Sequence, residues 1–105
     1  MRRGDVHWVR FPAPAGRRPA VLVSRDEAYS IKSRITVVAV TRTVRGIPTE
    51  VRLGRAEGLP KVGVANADEL VTIPTSLLDE RICTLTRAKL LELDEALRFA
   101  LGLEP

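Results

Sequence analysis

Apolar and polar positions alternate with a period near two along most of the chain and switch to a period near 3.6 only after residue 86. In residues 5–11 the alternation turns Val6 and Trp8 inward, with Val9 or Phe11, and so predicts a first strand with His7 facing solvent or a second copy of the chain. The Pro-Ala-Pro-Ala-Gly run at 12–16 is a stiff connector into a second strand, 18–24, expected to pair with the first. Val21, Leu22 and Val23 are too apolar a run to face water, and Pro19 suits only a strand's first position or an edge. A polar stretch with a helical turn at 26–29 precedes residues 35–41, an apolar run that reads as a central strand. Residues 49–53 alternate cleanly, 54–60 hold two glycines and a proline and read as a loop, and 62–66 and 70–73 are two short strands. A connector at 74–78 leads to a last strand at 81–85. Short strands with frequent turns predict a mainly β fold, a small barrel.

The closing segment is helical. Thr86 suits the N-cap, Leu90, Leu93, Leu97 and Leu101 with Ala96 and Ala100 make one apolar stripe, and Gly102 suits the position just past the end. Asp94 and Arg98 are spaced to pair one turn apart. This helix is expected to pack on the barrel and to carry no catalytic group.

Length and composition narrow the picture further. At 105 residues the chain is expected to form one domain, 1–105, with a modest core that gains from dimerisation. No stretch approaches the roughly 20 apolar residues of a membrane span, and Arg2-Arg3 runs straight into Gly4-Asp5 without an apolar leader, so the expected location is the cytoplasm. The lone Cys83 reads as a small buried filler.

The net charge of +4 hides an asymmetry. Residues 1–45 carry ten Lys or Arg against three acids, whereas residues 46–105 carry seven against ten. A basic half of this kind suits a polyanionic partner. Only four aromatic residues are present, too few for a protein that binds splayed bases mainly by stacking. The sharpest chemistry lies at Arg17-Arg18-Pro19, where two guanidinium groups stand at the mouth of a buried strand and offer fork-shaped donors to phosphate oxygens. With His7 the sole histidine and no clustered metal ligands or glycine-rich phosphate loop, no metal or cofactor is expected.

The segments Arg3-Gly4-Asp5-Val6-His7-Trp8, Gly16 to Ser24 and Val37 to Thr41 resemble the first three strands of the MazF/PemK toxins. Ile47-Pro48-Thr49-Glu50-Val51, Gly58-Leu59-Pro60-Lys61, Val64 to Asp68 and the stretch to Asp94-Glu95-Ala96-Leu97 follow in that family's order, over nearly the whole chain. The resemblance implies an SH3-like barrel of the MazF/CcdB type with a C-terminal helix. It also implies a homodimer, single-stranded RNA as substrate, and an antitoxin partner of the MazE kind with an acidic C-terminal segment. Cleavage would proceed by attack of the 2′-OH, giving a 2′,3′-cyclic phosphate and a 5′-OH. The resemblance puts catalysis on Arg18, before the proline of the second strand, and on Thr41, at the end of the third. Arg17, Arg42 and Arg45 are candidates for gripping RNA, with Thr43 between the last two, and Asp68 and Glu69 join them as candidate RNA contacts.

Some members use an Arg and an Asp two residues apart, with a loop histidine. Here Asp68 is present, Asn66 occupies the Arg position, and the short 12–16 connector holds no histidine. Glu69 and Val71 stand where Gln and Arg are usual, so base specificity, more than activity, is where this chain is expected to depart from its relatives. Two alternatives stay open: a gyrase poison of the CcdB kind, sharing the barrel and acting through protein contacts, and an RNA-binding module without catalysis.

Overall fold

The computed structural model describes residues 1–103 and consists of six antiparallel strands that curl into a half-barrel, with one long helix against it. In chain order these are β1 (Asp5–Arg10), β2 (Arg17–Leu22), a single helical turn α1 (Ala28–Ile31), β3 (Arg34–Thr41), β4 (Glu50–Leu53), β5 (Gly63–Pro74), β6 (Leu78–Thr84) and α2 (Arg87–Leu101). The strand order is β4-β5-β3-β2-β1-β6, so β5 and β6, joined by the short 3₁₀ turn Thr75–Leu77, carry the chain from one side of the sheet to the other.

This crossing covers both faces of the central strands. On one face Val6, Val21 and Val38 pack with Val51, Leu53 and the α2 residues Leu93 and Ala96. On the other, Val9, Ala20, Leu22, Val37 and Ile73 pack beneath Leu77 and Leu78. Complete burial of a side chain such as Leu93 contributes roughly 1.5–3 kcal/mol. The double coverage corrects the expectation for His7, which is buried with its Nδ1 at 2.9 Å from the Asp79 carbonyl and its Nε2 unpartnered among the described residues. The alternation rule assumed one wet face, and β6 covers that face, its register against β1 shifting on both sides of His7. Trp8, expected in the core, is only half-buried.

Two short strands expected at 62–66 and 70–73 are one continuous strand, β5, with an irregularity between them. Val40 pairs with Ala65 and Val38 with Leu70, so the single residue Ala39 faces four residues of β5. A bulge of this kind bends a strand and re-aims its side chains. β6 begins at Leu78, three residues before the expected start, and the predicted connector shrinks to the 3₁₀ turn Thr75–Leu77.

Helix α2 follows its pattern closely. Thr86 Oγ1 accepts from the Lys89 N–H at 3.2 Å, a cap that contributes about 1 kcal/mol, and Gly102 adopts φ +67°. The expected Asp94–Arg98 pair is replaced. Asp94 binds Arg3 at 2.7 Å and Arg98 turns to Glu95 at 3.1 Å, because Asp94 faces the N-terminal segment across the helix and finds a less exposed partner there. Leu101, expected in the stripe, is exposed, and Cys83 is half-buried, its thiol pushed up by burial and by the nearby Glu57 and Asp5 carboxylates.

Candidate functional site

The site lies where two strands part. β2 and β3 are paired at Leu22–Val37, Val21–Val38 and Ala20–Ala39, and no further. Continued by two residues, the same register would set Arg18 opposite Thr41. Pro19 falls in this gap, where its missing N–H breaks no ladder to β3. β3 runs on instead with β5, pairing Thr41 with Val64. That neighbour comes close because of Gly63. A Cβ on Gly63 would sit 2.7 Å from the Thr41 carbonyl oxygen, a distance no side chain tolerates.

Two cavities meet at this wedge, and Arg18 and Thr41 line both of them. The larger cavity, about 470 Å³, also takes Trp8, Arg17, Arg42 and Lys61 into its walls, and its lining holds four cationic side chains and no acid. The smaller, about 230 Å³, adds Thr43, Arg45, Asn66 and Glu69. Six of the seven residues expected at the site therefore converge on two cavities that share Arg18 and Thr41. Asp68 lines neither. It is exposed on the β5 bulge, where its backbone N–H donates to Asn66 Oδ1 at 3.0 Å.

Each central side chain has a defined hydrogen-bonding state. Arg18 is half-buried and spends one Nη2 bond on the Ala15 carbonyl at 3.2 Å, which anchors the guanidinium to the β1–β2 connector and leaves its other donors free. Thr41 Oγ1 accepts from the Thr43 N–H at 3.2 Å, so the hydroxyl hydrogen remains available to a ligand. Arg17 differs from both. Its guanidinium lies 4.3 Å from the Trp8 ring centroid and is held by Asp79 at 3.3 Å and Glu80 at 3.2 Å, a stacked and paired wall of the larger cavity. The 42–49 loop, which carries Arg42, Thr43 and Arg45, is gathered by Glu50, whose carboxylate accepts from the backbone N–H groups of Arg45, Gly46 and Ile47 at 2.8–3.4 Å. Desolvation alone would raise the Glu50 carboxyl, but these amides and the Arg45 charge outweigh it and hold the group below its ordinary value of 4.5.

Sequence reasoning missed Trp8, Lys61 and Asp79. Trp8 read as core from its alternation, and Lys61 stood alone in a loop. Asp79 gave no signal, since its role is to hold Arg17 from 62 residues away.

A cationic wedge in a curled antiparallel half-barrel, capped by one C-terminal helix, defines the class: a small β-barrel domain with a basic cleft. The family of PemK-like, MazF-like toxins of type II toxin-antitoxin systems matches residues 2–101, and the chain belongs to it. It is 35% identical over 103 residues to the probable endoribonuclease MazF2 of Mycobacterium tuberculosis, covering 97% of this chain and 99% of that one. Among solved structures, it resembles the Mycobacterium tuberculosis toxin MazF-mt6 with a TM-score of 0.88 at 29% identity, over 96% of this chain and 99% of the other. It also resembles a mycobacterial endoribonuclease in complex with its cognate antitoxin, with a TM-score of 0.86 at 28% identity, over 100% and 98% of the two chains. The gyrase-poison alternative finds no support in these relatives. No helix among the described residues is long and apolar enough to cross a membrane.

Proposed function

We propose that this chain is the endoribonuclease toxin of a type II toxin-antitoxin pair, acting in the cytoplasm as a homodimer and cutting single-stranded RNA at the wedge between β2 and β3. The observation that carries the reading is the convergence of Arg18 and Thr41, each with free donors, on a cleft lined by four cations and no acid. A phosphodiester seated there meets charge-assisted donors at its non-bridging oxygens. As the 2′-oxygen attacks, the O2′–P bond forms and the P–O5′ bond breaks. The proton released from the 2′-OH and the one taken up by the 5′-oxygen balance, leaving a 2′,3′-cyclic phosphate and a 5′-OH. Arg18 stabilises the charge that develops on the pentacoordinate phosphorus, because a guanidinium keeps its proton at neutral pH. Thr41 adds a neutral donor. Nothing in this sequence of bonds calls on a metal or cofactor.

The same surface suits the antitoxin. An acidic peptide laid across Arg18, Arg42 and Lys61 would exclude RNA by occupying the cleft. The cognate complex of the mycobacterial relative supports such a partner.

The test is cleavage of a long single-stranded RNA in EDTA, with mapped ends, by the wild-type protein and by Arg18→Ala. The expected result is cutting at a recurring short sequence, leaving 5′-OH ends, slowed about 100- to 1,000-fold in the variant. A variant that folds and cuts at the wild-type rate would remove Arg18 from the site.

A further inference from the structure

We infer that the smaller cavity reads a guanine base adjacent to the cleaved phosphate, with Glu69 as its specificity-determining residue. The inference rests on the endoribonuclease reading above and extends it to the base selected. Arg18 and Thr41 form the wall shared with the larger cavity, so a nucleotide whose phosphate they hold places its base within reach of the smaller one.

The cavity is furnished with unspent polar groups. Asn66 is 2% exposed, and its Oδ1 accepts from Thr49 Oγ1 at 2.8 Å and from the Asp68 backbone N–H at 3.0 Å. A backbone N–H can only donate, so the amide orientation is fixed and Nδ2 is the group left without a partner among the described residues, on a side chain that lines the cavity. The Arg45 guanidinium and the Glu69 carboxylate line the same cavity, and neither enters an ion pair among the described residues. The β5 bulge, in which four residues face Ala39, brings Asn66 and Glu69 to this place together.

The chemistry of these groups selects among the bases. An ionised carboxylate is an acceptor with two oxygens and no donor. Guanine alone offers two adjacent donors, N1–H and the N2 amino group, that match both oxygens. Adenine and cytosine would set a ring-nitrogen lone pair against the carboxylate, and uracil flanks its one N–H with two carbonyls. Guanine also carries O6 and N7, the acceptors that an arginine fork takes, so Arg45 and Asn66 complete the set.

The test uses short RNA oligonucleotides with 2′-O-methyl groups, which bind without being cut. Guanine, inosine, adenine, cytosine or uracil occupies each position in turn, and affinity is read by fluorescence anisotropy. At one position guanine should bind about tenfold or more tighter than inosine, which lacks only the N2 amino group, and Glu69→Gln should abolish that difference. No preference for guanine at any position, a preference that survives Glu69→Gln, or no binding of any oligonucleotide would each overturn the inference. The inosine comparison leaves the protein unaltered, so it holds whatever the variant does to folding. Because these RNAs are not cut, the result is independent of the Arg18→Ala cleavage assay, whose failure would strike the catalytic reading alone.

Discussion

Gly63 shows how one absent side chain sets the geometry of the candidate site. Its backbone packs against the Thr41 carbonyl so closely that a Cβ would stand 2.7 Å away, with the Val40 side chain at 3.1 Å. Neither atom is the loose end of a flexible chain. Gly63→Ala must therefore push the end of β3 away from β5 and carry Thr41 with it. A shift of about 1 Å at a catalytic group commonly costs about 100-fold in rate. The expected outcome is a folded protein, by circular dichroism, whose kcat for RNA cleavage falls by about that factor. A variant with unaltered kcat would mean that Thr41 needs no fixed position. At this scale Arg17 and Arg18 stood out as cations at the mouth of a buried strand, whereas Thr41 and the catalytic role of Arg18 came only from the resemblance to the MazF/PemK toxins. Trp8 and His7 were misplaced because a two-residue period tells which side of a strand a residue occupies, not whether that side is dry.

Among the elements, the 42–49 loop is the one whose shape depends on a single ionised group. Glu50 carries three consecutive amides on its carboxylate, and that bond set is available only while the group is charged. Its folded pKa is depressed, so the stabilisation is present above the ordinary value of 4.5 and is lost as pH falls through the lower, folded value. The protection of the Arg45, Gly46 and Ile47 amides, measured against their intrinsic exchange rates, should be high at neutral pH and fall away only as the pH drops below the ordinary carboxyl value of 4.5. In Glu50→Gln, which retains one acceptor and no charge, protection should be low at every pH, and KM should rise more than kcat falls if Arg42 and Arg45 grip the RNA as proposed. Protection that persists in the variant would show the loop to be held by other means. The helix was legible because its cap, stripe and terminal glycine all agree. The β5 bulge was not, since residues 66–69 carry neither a glycine nor a proline to mark it, and only the pairing with β3 reveals that four residues do the work of one.

Across the whole molecule, the charge asymmetry of the sequence becomes a local field. Arg17, though basic, is spent on Asp79, Glu80 and Trp8, so the cations free for phosphate in the larger cavity are Arg18, Arg42 and Lys61. Single-stranded nucleic acids lose about 0.7 in the slope of log K against log salt for each phosphate neutralised. Binding of uncut RNA should then follow a slope near −2, and Lys61→Ala should lower its magnitude by about 0.7. A slope that ignores Lys61 would move the RNA path off this cleft. A small, mainly β barrel followed from the periodicity and the turns, and its SH3-like type from the family resemblance, but the wedge followed from neither. It arises where β3 exchanges β2 for β5, a choice made between strands 20 and more residues apart that leaves no mark on any one of them.

That wedge has a consequence for how such a protein can change over generations. The pair assigned to bond cleavage stands on a partition, with residues 59–61 bordering one side and residues 66 and 69 the other. On the proposed reading, the bases before and after the cut would be met by separate stretches of chain. Substitutions in one stretch can drift without disturbing the other or the partition between them, so new target sequences can arise piecemeal, one flank at a time, from a toxin that never stops cutting.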